Sequence, residues 1–267
     1  IVVNTPHNPT GKVFTREELG QIAALCQRHD VVAVTDEIYE HLVYDGAHAR
    51  LADLPGMAER TVTISGLSKT YSATGWRIGW VVAPPDATIA IRRVHDFLTV
   101  GAAAPLQEGA ALALSFPDAY HTDLAASYRR KRDALGAVLA EVGLGAPSPA
   151  GAYYILTDAG EWIDRLGLAD DRDLARWLVR ERGIAVVPGS SFFQGGRGGE
   201  RLVPPGGPGP DHVPGDGRRP ADVRGDHRQV GRPAVQFHPD DGRRVGHVRA
   251  DADRPQERPG VLVEGVQ

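Results

Sequence analysis

The chain has 267 residues, 42% of them hydrophobic, with 30 Lys plus Arg against 34 Asp plus Glu, which is enough length and apolar content for a sizeable core. The near-neutral charge leaves no electrostatic footprint for nucleic acid or an anionic membrane, so a small molecule is the partner class left standing. A single cysteine, Cys26, excludes an internal disulfide framework; no apolar run approaches the ~20 residues a bilayer requires and no charged leader opens the chain, so a cytoplasmic protein is expected.

The opening "IVVNTP" reads as a strand entering a turn, with no leading loop, and predicts that the chain begins within a domain. After "NPTGKVF", Thr15 and Glu18 form a T-x-x-E capping box ahead of a helix with Leu19, Ile22 and Cys26 on one face. "VVAVT" reads as a buried strand ending at Asp36, and "TVTIS" (61–65) as a second running into Lys69. "WRIGWVVA" (76–83) reads as a third, with Trp76 and Trp80 packing at strand period. This alternation of strands and helices predicts an α/β fold.

Residues 87–143 carry a helical pattern, whose amphipathic second half would link two lobes. "GAYYILT", the helix "DRDLARWLVRERG" and the strand "IAVV" then predict a smaller α+β lobe. The resulting division is 1–105 for part of a large domain, 106–145 for connecting helices, 146–195 for part of a small domain and 196–267 for a tail.

The tail differs abruptly in composition. Residues 196–267 hold 14 Gly, 10 Pro and 12 Arg, and no Ser, Thr, Lys, Ile, Asn, Tyr, Trp, Met or Cys. Such a segment cannot bury enough apolar surface to offset its ordering entropy, so disorder is expected. Its 12 Arg face 8 Asp and 3 Glu, with Phe237 as the one aromatic, which argues against an RNA-binding arm. A calcium loop from Asp251 fails because Pro255, Gln256 and Leu262 occupy positions that need other residues. The break at about residue 196 predicts a shift of reading frame in a G and C rich gene.

Lys69 lies in "SGLSKTYSATGWRIGW", and on its own a lysine among small hydroxyl residues is a solvated surface group. Its company changes the reading. Asp36 and Lys69 each follow a strand end, and "NTPHNPTG" brings Asn8 to the same edge, where open α/β sheets place their ligands. An amine, a carboxylate, an amide, the Tyr39 phenol and the Arg77 guanidinium would converge there. Each neighbour also has a structural reading. Asn8 before Pro9 suits a turn, Glu37 suits a solvated or salt-bridged carboxylate, and His7, His41 and His95 lack metal-ligand spacing.

In order and spacing, "NTPHNPTG", "DEIYEHLVYDG", "SGLSKTYSATGWRIGW", "PAGAYYIL" and "GIAVVPGSSFF" resemble the class I and II pyridoxal-phosphate aminotransferases of fold type I, over roughly residues 1 to 195. The resemblance implies an α/β chain holding the C-terminal part of the large domain plus part of a small α+β domain. It implies pyridoxal 5'-phosphate as cofactor, an amino acid and a 2-oxo acid as substrates, and a homodimer for the intact member. Lys69 matches the Schiff-base lysine that also moves the substrate α-proton. Asp36 matches the pyridine-nitrogen partner, Asn8 and Tyr39 the partners of the ring's phenolic oxygen, and Arg77 the phosphate ligand.

Three departures accompany the match. Gly66 stands three positions before the lysine, where the family usually has a serine or threonine on the phosphate, leaving Ser65 as a substitute. The family's front half, with its glycine-containing phosphate loop and ring-stacking aromatic, is not in this sequence. Pro204 stands where the arginine gripping the substrate carboxylate is expected. Two other readings therefore stay open: an inactive fragment of such an enzyme, and a β-lyase of the same fold, which shares the cofactor residues.

Overall fold

Three parallel strands end at one edge of a sheet, and the residues just beyond those ends are the chemically interesting ones. The computed structural model describes residues 1–145, 148–196, 198–204 and 261–264. They belong to a unit formed by Ile1–His212 and Pro259–Gln267. The expectations of disorder and a frame shift for the tail fall mostly outside the described residues; where the tail is described, Leu202–Val203 and Val261–Glu264 are strands rather than disordered, because each finds a pairing partner.

β1 (Val2–Asn4), β2 (Ala33–Asp36) and β3 (Thr61–Gly66) pair in parallel, with Asn4 opposite Asp36 and Asp36 opposite Ile64. β4 (Gly79–Val82) runs antiparallel to β3, and β7 (Val261–Glu264) antiparallel to β4, giving the order β1-β2-β3-β4-β7. Alternating burial along β2 places Ala33 and Thr35 inside. α1 (Arg16–Arg28) covers this part of the sheet because Leu19, Ala23 and Cys26 share one face with Val3, Ala33, Leu51, Leu54 and Met57. Both halves of its capping box form: Thr15 accepts from the Glu18 N–H, and Glu18 accepts from the Thr15 N–H.

α2 (Leu67–Thr70) is a single turn entered directly from β3. The helical stretch that follows resolves into α3 (Pro85–Leu98), α4 (Ala104–Leu114) and α5 (Asp118–Glu141). α3 buries none of its residues, and Phe97, Leu98 and Val100 are 94%, 74% and 86% exposed. The last part of the chain holds β5 (Thr157–Asp158), α6 (Gly160–Leu166), α7 (Asp171–Trp177) and β6 (Leu202–Val203), packed around Ile163, Leu174 and Val203. Among the described residues no helix is long and apolar enough to cross a membrane.

Two local expectations are corrected. The strand expected over 76–83 starts only at Gly79, because Thr74–Trp76 form a 3-10 turn and Arg77 caps it with φ 57 in the left-handed region; Trp76 is 45% exposed and sits off the strand. Residues 184–187 form no continuous strand: the helix before them ends in a π-helical turn, Leu178–Arg182, closed by Gly183 at φ 67.

Candidate active site

The sheet register sets the site. Because β1, β2 and β3 run in parallel, Asn4 and Asp36 end side by side and β3 continues past Ile64 to Gly66, and the chain segments leaving them carry Asn8, Tyr39 and Lys69. β4 returns antiparallel with Gly79 opposite Gly66, so Arg77 also lies at this edge. All five residues expected from the sequence are thus at the carboxyl ends of the parallel strands.

Within that edge some are drawn together by side-chain contacts. Lys69 Nζ lies 5.9 Å from the Tyr39 ring centre and donates a 2.7 Å hydrogen bond to the hydroxyl of Tyr153. Asn8 and Asp36 are coupled through Asn4, whose amide donates to the Asp36 carbonyl at 3.0 Å while its oxygen accepts from the Asn8 N–H at 2.7 Å. The Asp36 carboxylate accepts from the Ile38 N–H at 3.2 Å, which orients it across the turn after β2. Arg77 is exposed, and its guanidinium donates to the Thr74 carbonyl at 3.0 Å, so it is turned toward its own loop.

Burial shapes the chemistry of the phenols. Tyr39 is 2% exposed and stands edge-on to Tyr153 and Tyr154, with ring centres at 5.3 and 6.2 Å. Burial, reinforced by the neighbouring tyrosines, pushes the Tyr39 phenol far above its ordinary value, so the hydroxyl stays protonated and available as a donor. Tyr154 is raised for the same first reason. The Asn8 amide has its Oδ1 end buried with no partner among the described residues. An amide whose two ends can exchange, with one end unpaired at a sheet edge, is able to serve a ligand there.

Two departures acquire physical reasons. A Cβ on Gly66 would stand 2.9 Å from the Ile78 carbonyl oxygen and 3.1 Å from the Gly79 Cα, so close approach of β4 requires glycine there. Ser65 does not substitute as an open hydroxyl: it is 5% exposed and donates to Glu40 at 2.8 Å. Pro204 is buried, and its carbonyl accepts from the Val187 N–H at 3.3 Å.

Glu37 is salt-bridged rather than solvated. It is fully buried and meets the His48 ring at 2.7 Å, with the Arg50 guanidinium 3.9 Å away and 2.9 Å from Glu40. Glu37, Glu40 and His48 bring candidate ligand atoms within 4.8 Å of one another, but Arg50 already supplies positive charge to both carboxylates. The sequence reading missed His48, which lies in a loop without local signal, and gave no role to Tyr153. The one available pointer to Tyr153 was its place in the "PAGAYYIL" segment.

The family described as aminotransferase class I and II matches residues 1–204. Human kynurenine–oxoglutarate transaminase 1 is 40% identical, over 72% of this chain and 49% of that protein. Probable N-succinyldiaminopimelate aminotransferase DapC of Mycobacterium tuberculosis is 39% identical, over 72% of this chain and 48% of that protein. The solved structure of N-succinyldiaminopimelate aminotransferase from Mycobacterium tuberculosis superimposes with a TM-score of 0.72 at 37% identity, covering 77% of this chain and 53% of that one. The aromatic aminotransferase of Pyrococcus horikoshii OT3 gives 0.69 at 34% identity, covering 77% and 54%. The chain therefore spans about half the length of the curated relatives it matches, and over that span its sequence and its fold place it in one family: it belongs to the class I and II aminotransferases.

Proposed function

We propose that the protein carries out pyridoxal-phosphate-dependent transfer of an amino group between an L-amino acid and a 2-oxo acid, with Lys69 as the residue that holds the cofactor covalently. The observation that carries this reading is the placement of Lys69, Tyr39, Asp36 and Asn8 beyond the ends of three adjacent parallel strands, within a family whose members use this cofactor. The residues fit the group. Tyr39 is a buried protonated phenol, Asn8 has an unpaired buried amide end, and the Lys69 amine is held by a hydroxyl rather than a carboxylate.

When bound, pyridoxal phosphate supplies an electron sink for the pair left behind as a substrate α-proton departs. Lys69 would hold the cofactor through its amine, and the same amine would carry that proton. The Asp36 carboxylate, anchored by the Ile38 N–H, would pair with the pyridine nitrogen. Tyr39 and Asn8 would donate to the ring oxygen. Arg77, whose guanidinium donates to the Thr74 carbonyl here, would be the phosphate ligand, for which its planar fork is suited.

The relatives' names give different amino donors, kynurenine for one and N-succinyldiaminopimelate for another, so the reading stays at an L-amino acid and a 2-oxo acid. The intact protein is read as a homodimer, supported by the uncovered apolar side chains Phe97, Leu98 and Val100 on and after α3. The same cofactor residues also suit a β-lyase. Oxo-acid formation from an amino acid, followed with and without an added 2-oxo acid acceptor, separates the two: strict dependence on the acceptor is expected, and acceptor-independent product would replace the transaminase reading with the lyase.

A further inference from the structure

Lys69 is hydrogen-bonded to a side chain from a segment 84 residues away. Lys69 Nζ donates to the Tyr153 hydroxyl at 2.7 Å and lies 5.3 Å from the centre of the Tyr153 ring. The contact joins the single turn after β3 to the segment that enters the last part of the described chain.

Tyr153 is held there by an unusually constrained backbone. Residues 150–152 are tied to the loop after β2: the Tyr44 N–H donates to the Ala150 carbonyl at 2.7 Å, the Ala152 N–H to the Leu42 carbonyl at 2.9 Å, and the Tyr44 hydroxyl to the Ala152 carbonyl. The Gly151 N–H donates to the Gly11 carbonyl at 2.9 Å, and a Cβ on Gly151 would lie 2.8 Å from the Leu42 carbonyl oxygen. Ala152, fully buried, takes φ 58, a left-handed conformation that a residue with a Cβ keeps only where its surroundings impose it. The next residue therefore leaves in a fixed direction. Its ring is then clamped edge-on to Tyr39 at 5.3 Å, stacked on Tyr128 at 6.0 Å and tilted on Tyr154 at 4.6 Å.

A phenol is suited to this task because it both accepts and donates. It accepts from a protonated lysine and can donate to a neutral one, so one fixed hydroxyl holds the amine in either protonation state. We propose that Tyr153 is a positioning residue for Lys69, aiming its amine at the carboxyl edge of the sheet for the proton transfer assigned to it. The inference rests on the functional reading above for the reaction, and on the Lys69–Tyr153 hydrogen bond for the positioning.

The chain has three lysines, Lys12, Lys69 and Lys131, so Lys12 and Lys131 act as internal references. In the cofactor-free chain, competitive acetylation with acetic anhydride at one pH compares all three. Tyr153→Phe, which keeps the ring and removes the hydroxyl, is expected to raise acetylation of Lys69 relative to the references by about threefold or more; an unchanged ratio overturns the proposal. If the variant fails to fold, solvent exchange of the three ammonium groups by 15N-lysine NMR in the unaltered chain gives the answer: slowest exchange at Lys69 supports the contact, and exchange as fast as at Lys12 overturns it. In the cofactor-loaded protein, Tyr153→Phe is expected to lower kcat about tenfold with KM nearly unchanged, and an equal kcat overturns the catalytic relevance of the contact. Borohydride trapping of cofactor on Lys69 runs in parallel. Its failure beside a Tyr153-dependent Lys69 would remove the functional reading while the positioning contact stood.

Discussion

The carboxylate of Glu37 and the imidazole of His48 form a 2.7 Å pair with Glu37 fully buried directly after Asp36. The neighbouring groups, Arg50, Glu40 and Ser65, extend it into a network that ties the loop after β2 to the end of β3. Removing one member of a buried pair leaves the other without its hydrogen bond, so Glu37→Ala is expected to cost about 1–3 kcal/mol of stability. In a denaturation double-mutant cycle with His48→Ala the losses should be clearly non-additive; additive losses would mean that the two do not act as a pair.

How far the sequence revealed this structure depended on whether the signal was local. β1, β2, β3 and α1 were legible because hydrophobic period and the Thr15–Glu18 box lie within a few residues of what they specify. The late start of β4 was not, since the left-handed turn at Arg77 accompanies the Gly66–Gly79 pairing across two strands. The turn at Ala152 in "GAYYILT" had no local signal, since it is tied by contacts from Leu42, Tyr44 and Gly11. The placement of Asn8, Asp36, Tyr39, Lys69 and Arg77 at one sheet edge was legible from strand ends. Tyr153 and His48 were not, because each matters through a partner distant in sequence or in a loop without pattern.

Gly66 offers a test of the departure from the family's usual residue. Its φ of -178 is ordinary extended backbone, so the constraint is space: the atoms nearest a new Cβ are the backbone of Ile78 and Gly79. Gly66→Ser is expected to destabilise the fold by about 1–3 kcal/mol, as overpacking does, and to weaken cofactor uptake. A denaturation midpoint equal to that of the unaltered chain would show that β4 yields easily.

His41 makes stability depend on pH. Its ring stacks on His121 with centres 4.0 Å apart and planes 18° from parallel. Burial holds its pKa below the ordinary value of 6.5; Glu40 opposes the shift, while His121, Arg50 and His48 reinforce it. A depressed folded value means that the fold favours neutral His41. Its contribution is fully present above about pH 6.5 and is lost as pH falls through the lower folded value. Denaturation midpoints measured between about pH 5 and 8 should fall on the acid side, and His41→Phe should flatten that fall. An identical acid slope in the variant would remove His41 as its source.

The central claim is that Lys69, and neither of the other two lysines, holds the cofactor. Incubating the protein with excess pyridoxal phosphate, reducing with borohydride and mapping the stable adduct by peptide mass spectrometry tests it most directly, with Lys69→Ala in parallel. The account predicts an adduct at Lys69, lost in the variant, with Lys12 and Lys131 modified only at background level. An adduct at Lys12 or Lys131 beside an unmodified Lys69, or an adduct that survives Lys69→Ala undiminished, would contradict it.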